Sequence, residues 1–145
     1  MESSSSKRVA LMLALLVVVV TVTAFKLMPA ESSSTDSGSA AAQLAEARSE
    51  GKPVWLLFHS NSCSSCVEMS QLMAKLKGGF SGVAMIPVDV DSPATADQQV
   101  IAEYAVRYIP TTVLLTADGQ VLYSFAGSLS EDEMTARIRT LAPQS

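Results

Sequence analysis

The stretch Val54 to Cys66, VWLLFHSNSCSSC, decides how the rest of the chain is read. Its first five residues form an unbroken apolar run after Pro53, the pattern of a short strand buried on both faces beside parallel neighbours. Its last residues hold the only two cysteines of the chain, Cys63 and Cys66, spaced Cys-x-x-Cys where a helix opens. Beyond them Met69, Leu72, Met73 and Leu76 recur at i, i+3, i+4 and i+7, and Gly78 and Gly79 close the pattern.

Working outward, Ala41 to Glu50 is made largely of helix formers and stops at Gly51 and Pro53. Val83 to Val90 reads as a second strand, placed at a sheet edge because Pro87 removes a ladder donor. Ser92 and Pro93 read as an N-cap and first-turn proline, opening a helix whose Val100, Ile101, Tyr104 and Ala105 share a side and which runs to about Tyr108. Thr111 to Thr116 and Val121 to Phe125 flank Asp118-Gly119, a hairpin signal for antiparallel pairing. Ser130 and Glu133 then form a capping box before Met134, Ile138 and Leu141. Helix, strand, helix, strand, helix, strand, strand, helix is the order of a small mixed-sheet α/β domain.

The chain has 145 residues, room for one domain of ordinary size. Ten Lys and Arg against 14 Asp and Glu give a net charge of −4, which argues against nucleic acid as a partner. Much of the 48% hydrophobic content sits in Val9 to Phe25, 17 uncharged residues between Lys7-Arg8 and Lys26. As a helix that run spans about 26 Å, close to a bilayer core of about 30 Å. The expected organisation is a cytoplasmic segment 1–8, a transmembrane signal-anchor 9–28, a flexible Ser-rich linker 29–39 and a folded domain 40–145. The basic residues preceding the apolar run keep the N-terminus inside and the domain on the extracytoplasmic side of the cell membrane. A cleaved signal peptide, releasing the domain as a secreted protein, is the rival reading.

Two cysteines are too few for a disulfide framework, so any chemistry centres on this pair. A cysteine at a helix N-terminus meets unpaired N–H groups and the positive end of the helix dipole, both of which favour thiolate. Cys63 occupies that place and is the expected nucleophile toward a substrate sulfur. Cys66, one turn on and sharing a face with Met69 and Met73, points inward and resolves the mixed disulfide. Ser64 and Ser65 add hydroxyls but no positive charge. Two other readings stay open: a structural disulfide, and a copper or zinc binding or delivery module built from Cys63, Cys66 and the single histidine, His59.

The motifs VWLLFHSNSCSSC, YAVRYIPTTVLL and DGQVLYSFAGSLSEDEM, in this order and spacing, resemble the thioredoxin superfamily over about Ala41 to Leu141. The resemblance implies a three-layer fold with a mixed central sheet flanked by helices, the Cys pair at the sheet edge and a cis Ile109-Pro110 peptide facing it. In this role Pro110 keeps the rim open and the Ile109 backbone pairs with an extended substrate. The chain departs from the usual pattern in several places. Leu57 stands where many members carry a buried Asp, Pro87 replaces a strand Lys, Ser62 replaces a Trp, His59 an aromatic and Gln71 a helix-kinking Pro. His59 is therefore a candidate for proton handling beside Cys63.

The expected activity is thiol:disulfide exchange without an organic cofactor, reducing or exchanging disulfides of exported proteins. Protein thiols and disulfides are the expected substrates, and a membrane electron-donor protein the expected source of electrons.

Overall fold

The computed structural model describes residues 38–92 and 94–141. Helix α1 (Ala40–Ser49) starts at Ser39, whose hydroxyl accepts the Ala42 N–H at 3.2 Å, and Gly51 turns the chain out of it at φ +61°. Strand β1 (Val54–His59) follows, then α2 (Ser64–Lys77), β2 (Ala84–Asp89), α3 (Thr95–Glu103), β3 (Thr111–Leu115), β4 (Val121–Ala126) and α4 (Glu131–Leu141). The element order is the one expected from the pattern of apolar runs and breakers.

The four strands lie in the order β2-β1-β3-β4. β1 pairs parallel with β2 and antiparallel with β3, and β3 pairs antiparallel with β4 across the Asp118-Gly119 turn, where Gly119 adopts φ +82°. Pro87 lies on the edge strand β2, opposite Leu57 and exposed, where a missing N–H is tolerated.

Side chains alternate across the sheet and build two cores. On one side Val54, Leu56 and Phe58 of β1, Ile86 and Val88 of β2, and Val113 and Leu115 of β3 pack against Leu44 and Ala47 of α1 and Val100 of α3. On the other side Trp55, Leu57, Met85 and Leu114 pack against Met69, Met73 and Leu76 of α2 and Met134, Ile138 and Leu141 of α4. The result is three layers, helix on sheet on helix, as the resemblance implies. The capping box of α4 forms as expected: the Ser130 N–H donates to Glu133 at 3.0 Å and the Glu133 N–H to the Ser130 hydroxyl at 3.3 Å.

The boundaries of α3 differ from the sequence expectation at both ends. The helix begins at Thr95 with Ala94 in the N-cap position, not at Ser92. The Ser92 hydroxyl is instead donated to the buried Asp97 at 3.1 Å while accepting the Ala94 N–H at 3.3 Å, a turn that precedes the helix. The helix ends at Glu103 and does not reach Tyr108, because Ala105 takes a left-handed conformation at φ +50° and the Val106 N–H bonds back to Ile101 O at 3.2 Å. This reversal sets Val106 against the core of the α1 and α3 side and frees Arg107 to Ile109 to approach β3. Ala105, expected on the packed face, is exposed.

The transmembrane segment 9–28 and linker 29–37 lie outside the described residues. Among the described residues no helix is long and apolar enough to cross a membrane.

Candidate active site

β1 ends at the sheet edge and the chain turns through Ser60 to Ser62 into α2, placing Cys63 at the N-cap of that helix. The Cys63 and Cys66 Cα atoms are 5.2 Å apart and their sulfurs are joined in a disulfide. The Cys63 sulfur accepts the Cys66 N–H at 3.3 Å and lies 3.3 Å from the Ser65 hydroxyl. These are the contacts that favour negative charge on the sulfur once the disulfide opens. Cys63 is half-buried, whereas Cys66 is fully buried and shares its helical face with Met69 and Met73. The pair is thus asymmetric, with one sulfur toward the rim and one behind it.

The turn before Cys63 is held by a buried hydroxyl. Ser60 donates to the Asp91 carboxylate at 2.6 Å, lies 2.8 Å from the Ser62 hydroxyl and accepts the Ser62 N–H at 3.2 Å. Asn61 adds a longer bond to Asp89 at 3.4 Å. The loop that follows β2 therefore fixes the entry to the cysteine helix. Ser60 and Asp91 carry no signal in the sequence because they meet only after β1 and β2 pair. Ser65 does carry a signal, since a hydroxyl two positions into a helix opened by cysteine is within reach of that cysteine.

At the start of β3 the Ile109-Pro110 peptide is cis. Pro110 is buried and its carbonyl accepts the Gly127 N–H at 2.8 Å, tying the bend to the loop after β4. Gly127 has φ +131°, a conformation that favours glycine, and a Cβ there would also crowd the Phe125 ring at 3.2 Å. Among the described residues no hydrogen bond takes up the Ile109 N–H or C=O. Ile109 also lines, with Val90, Ile101, Val106, Arg107 and Tyr108, a shallow surface cavity.

His59 closes β1, and its carbonyl accepts the Val90 N–H at 2.9 Å. Its side chain is half-buried and lines a hollow with Val67, Ser70, Gln71 and Ala74, the α2 stripe next to the buried one; neither cysteine lines that hollow. Among the described residues no group of three or more His, Cys, Asp or Glu side chains is arranged to hold a metal ion, and both cysteines are engaged in the disulfide. Leu57, at the position the resemblance assigns to a buried Asp, is fully buried between Pro87 and Thr112 on the neighbouring strands. Two buried polar atoms of the described residues, Trp55 Nε1 and Thr112 Oγ1, have no hydrogen-bond partner.

A two-cysteine helix N-terminus on a four-stranded α/β sheet, beside a cis-proline bend, defines a dithiol/disulfide protein of the thioredoxin type. Comparison with known proteins agrees: the Thioredoxin-like domain family matches residues 40–142, and the chain belongs to that family. Among curated proteins it is 26% identical over 116 residues to the thiol-disulfide oxidoreductase ResA of Halalkalibacterium halodurans, the match covering 66% of each chain. Among solved structures it is similar to a mutant thioredoxin from Halobacterium salinarum, with TM-score 0.60, 25% identity and coverage of 70% of this chain and 85% of that one. It is also similar to the germline-specific thioredoxin Deadhead from Drosophila melanogaster, with TM-score 0.58, 29% identity and coverage of 69% and 90%.

Proposed function

We propose that this protein is a membrane-tethered, extracytoplasmic thiol:disulfide oxidoreductase that reduces or exchanges disulfides in exported proteins. The observation that carries the reading is the asymmetry of the pair: Cys63 caps the helix near the rim and Cys66 lies fully buried behind it. In the reducing direction the Cys63 thiolate attacks a substrate disulfide, forming one S–S bond and releasing the first substrate thiolate. Cys66 then attacks the Cys63 sulfur, forming the intramolecular disulfide and releasing the second substrate thiolate, so two electrons pass to the substrate. Ile109 offers an unused N–H and C=O to an extended substrate segment, and the imide of Pro110 presents no competing donor.

Tethering rests on Lys7 and Arg8 followed by the apolar run Val9 to Phe25. Outside the cytoplasm such a reductase needs a membrane electron-donor protein to reopen its disulfide. His59 is the candidate for proton handling, and Cys63 alkylation followed against pH in wild type and His59→Ala checks it; overlapping curves remove the role.

The test is trapping in cells. Cys66→Ser is expected to accumulate mixed disulfides through Cys63 with exported proteins. A trap that stays empty, with the variant folded and present at wild-type levels, overturns the reading. Equilibration of the pair with glutathione sets the direction, a potential near about −270 mV marking a reductant and one near about −120 mV an oxidant.

A further inference from the structure

The layer beneath the cysteine helix is apolar apart from two orphaned groups. Leu57, Leu114, Met69, Met73, Met134 and Ile138 contribute no hydrogen-bonding donor, yet Thr112 is fully buried in the same sheet and its hydroxyl has no partner. Alternation along β3 puts Thr112 on the side of Leu114, the side covered by α2 and α4, and register sets it directly opposite Leu57. Thr112 is the second residue after Pro110, at the end of the sheet from which α2 departs. Cys66 sits in the first turn of that helix, three residues before Met69 on the same buried face.

An unsatisfied buried hydroxyl is unfavourable, and a valine of the same shape would avoid the cost. The redox state of the structure supplies a reason for keeping it. Here the sulfurs are joined, and the Cys66 sulfur needs no donor. When the disulfide is reduced, a thiol that must ionise to act as a nucleophile appears in the same dry layer, with no donor from Leu57 or the methionines.

We infer that Thr112 is a positioning residue for the resolving cysteine: its hydroxyl stands unpaired in the disulfide state and donates to the Cys66 sulfur in the dithiol and mixed-disulfide states. The O–H group favours the anionic sulfur, lowering the pH at which Cys66 can attack Cys63 and expel the substrate thiolate. Trp55 Nε1, the other orphan, lies two cross-strand pairs further from this edge, opposite Leu114. The inference rests on the exchange chemistry proposed above.

The test uses the full-length protein with a chromogenic aromatic thiol attached to Cys63 as a mixed disulfide. Release of that thiol by Cys66 is followed by stopped flow against pH in wild type, Thr112→Val and Thr112→Ser. The titratable or charged side chains on the surrounding elements are His59 on β1, Glu68, Lys75 and Lys77 on α2, Asp89 and Asp91 at and after β2, Tyr123 on β4, and Glu131, Asp132, Glu133, Arg137 and Arg139 on α4. All are common to the three proteins. Thr112→Val is expected to move the profile up by about one pH unit. Its rate at neutral pH is expected to fall about threefold, since a more basic thiolate is also a better nucleophile. Thr112→Ser, which keeps the hydroxyl, is expected to follow wild type. Superimposable profiles for wild type and Thr112→Val, each with a normal melting transition, overturn the role of Thr112 while leaving the oxidoreductase reading intact. A wild-type mixed disulfide that Cys66 never resolves overturns both.

Discussion

On the side of the sheet covered by α1 and α3, β1 presents Val54, Leu56 and Phe58 to a layer with no methionine, and the buried polar side chains there, Ser39, Asp97 and Thr111, all have partners. On the side covered by α2 and α4 the same strand presents Trp55 and Leu57 to Met69, Met73, Met85 and Met134, and this side holds both orphaned polar groups. Branched and aromatic side chains have few rotamers and lock a layer, whereas methionine adapts its shape at small cost. The sheet therefore has a face that sets geometry and a face that tolerates change beneath a pair of sulfurs that join and separate. Both faces are buried; they differ in the side chains that fill them.

The comparison breaks first at the cysteines. Cys63→Ser is expected to abolish disulfide exchange with a protein substrate, while its far-UV spectrum stays that of the wild type; residual turnover above background would remove the division of labour. On the stiff face, Phe58→Ala is expected to cost about 3 to 5 kcal/mol by denaturant unfolding, because a fully buried ring leaves a cavity that its neighbours cannot fill. The folded fraction should still react at Cys63 at the wild-type rate. The disulfide closes a loop of only four residues in the unfolded chain, so its reduction is expected to lower stability by about 2 kcal/mol, less than the loss of that one ring.

Smaller effects sharpen the boundary of the adaptable face. Ser130→Ala removes the cap of α4 and is expected to cost about 1 kcal/mol without changing exchange rates. Glu133 gives the smallest effect. The Ser130 hydroxyl, then the Ser130 N–H, hold its carboxyl below the ordinary value near 4.5. Its contribution is present above that ordinary value and is lost as pH falls through the lower folded value. Glu133→Gln is expected to flatten this part of the acid limb of a stability titration, and an unchanged limb would contradict the assignment.

What could be read from the sequence follows from how local each signal is. The β1 run, the Asp118-Gly119 hairpin and the Ser130 to Glu133 box depend on a few consecutive residues, and all three form where expected, although β1 has a parallel neighbour only in β2 and an antiparallel one in β3, because burial on both faces does not fix the direction of the neighbours. The cysteine helix was equally legible, with its N-cap at Cys63 and its buried stripe from Cys66 to Leu76. The end of α3 was not, because it turns on Ala105 at φ +50°, a conformation that glycine would have advertised and alanine conceals. Ser60 with Asp91 and Thr112 opposite Leu57 were hidden for another reason: each relationship exists only once β1 has found β2 on one side and β3 on the other. The cis peptide at Pro110 was reached through family resemblance, since a lone Ile-Pro in a sequence carries no mark of its isomer.

The central claim is that the two sulfurs have different access to solvent, and this is measured most directly by challenging each alone. Reduced Cys66→Ser and Cys63→Ser proteins, mixed separately with a chromogenic aromatic disulfide at neutral pH, report the reactivity of Cys63 and of Cys66. Fast, complete labelling of Cys63 with slow labelling of Cys66 that speeds up only on unfolding is the predicted result. Equal rates at the two positions in the folded proteins, or faster labelling of Cys66, would contradict the account.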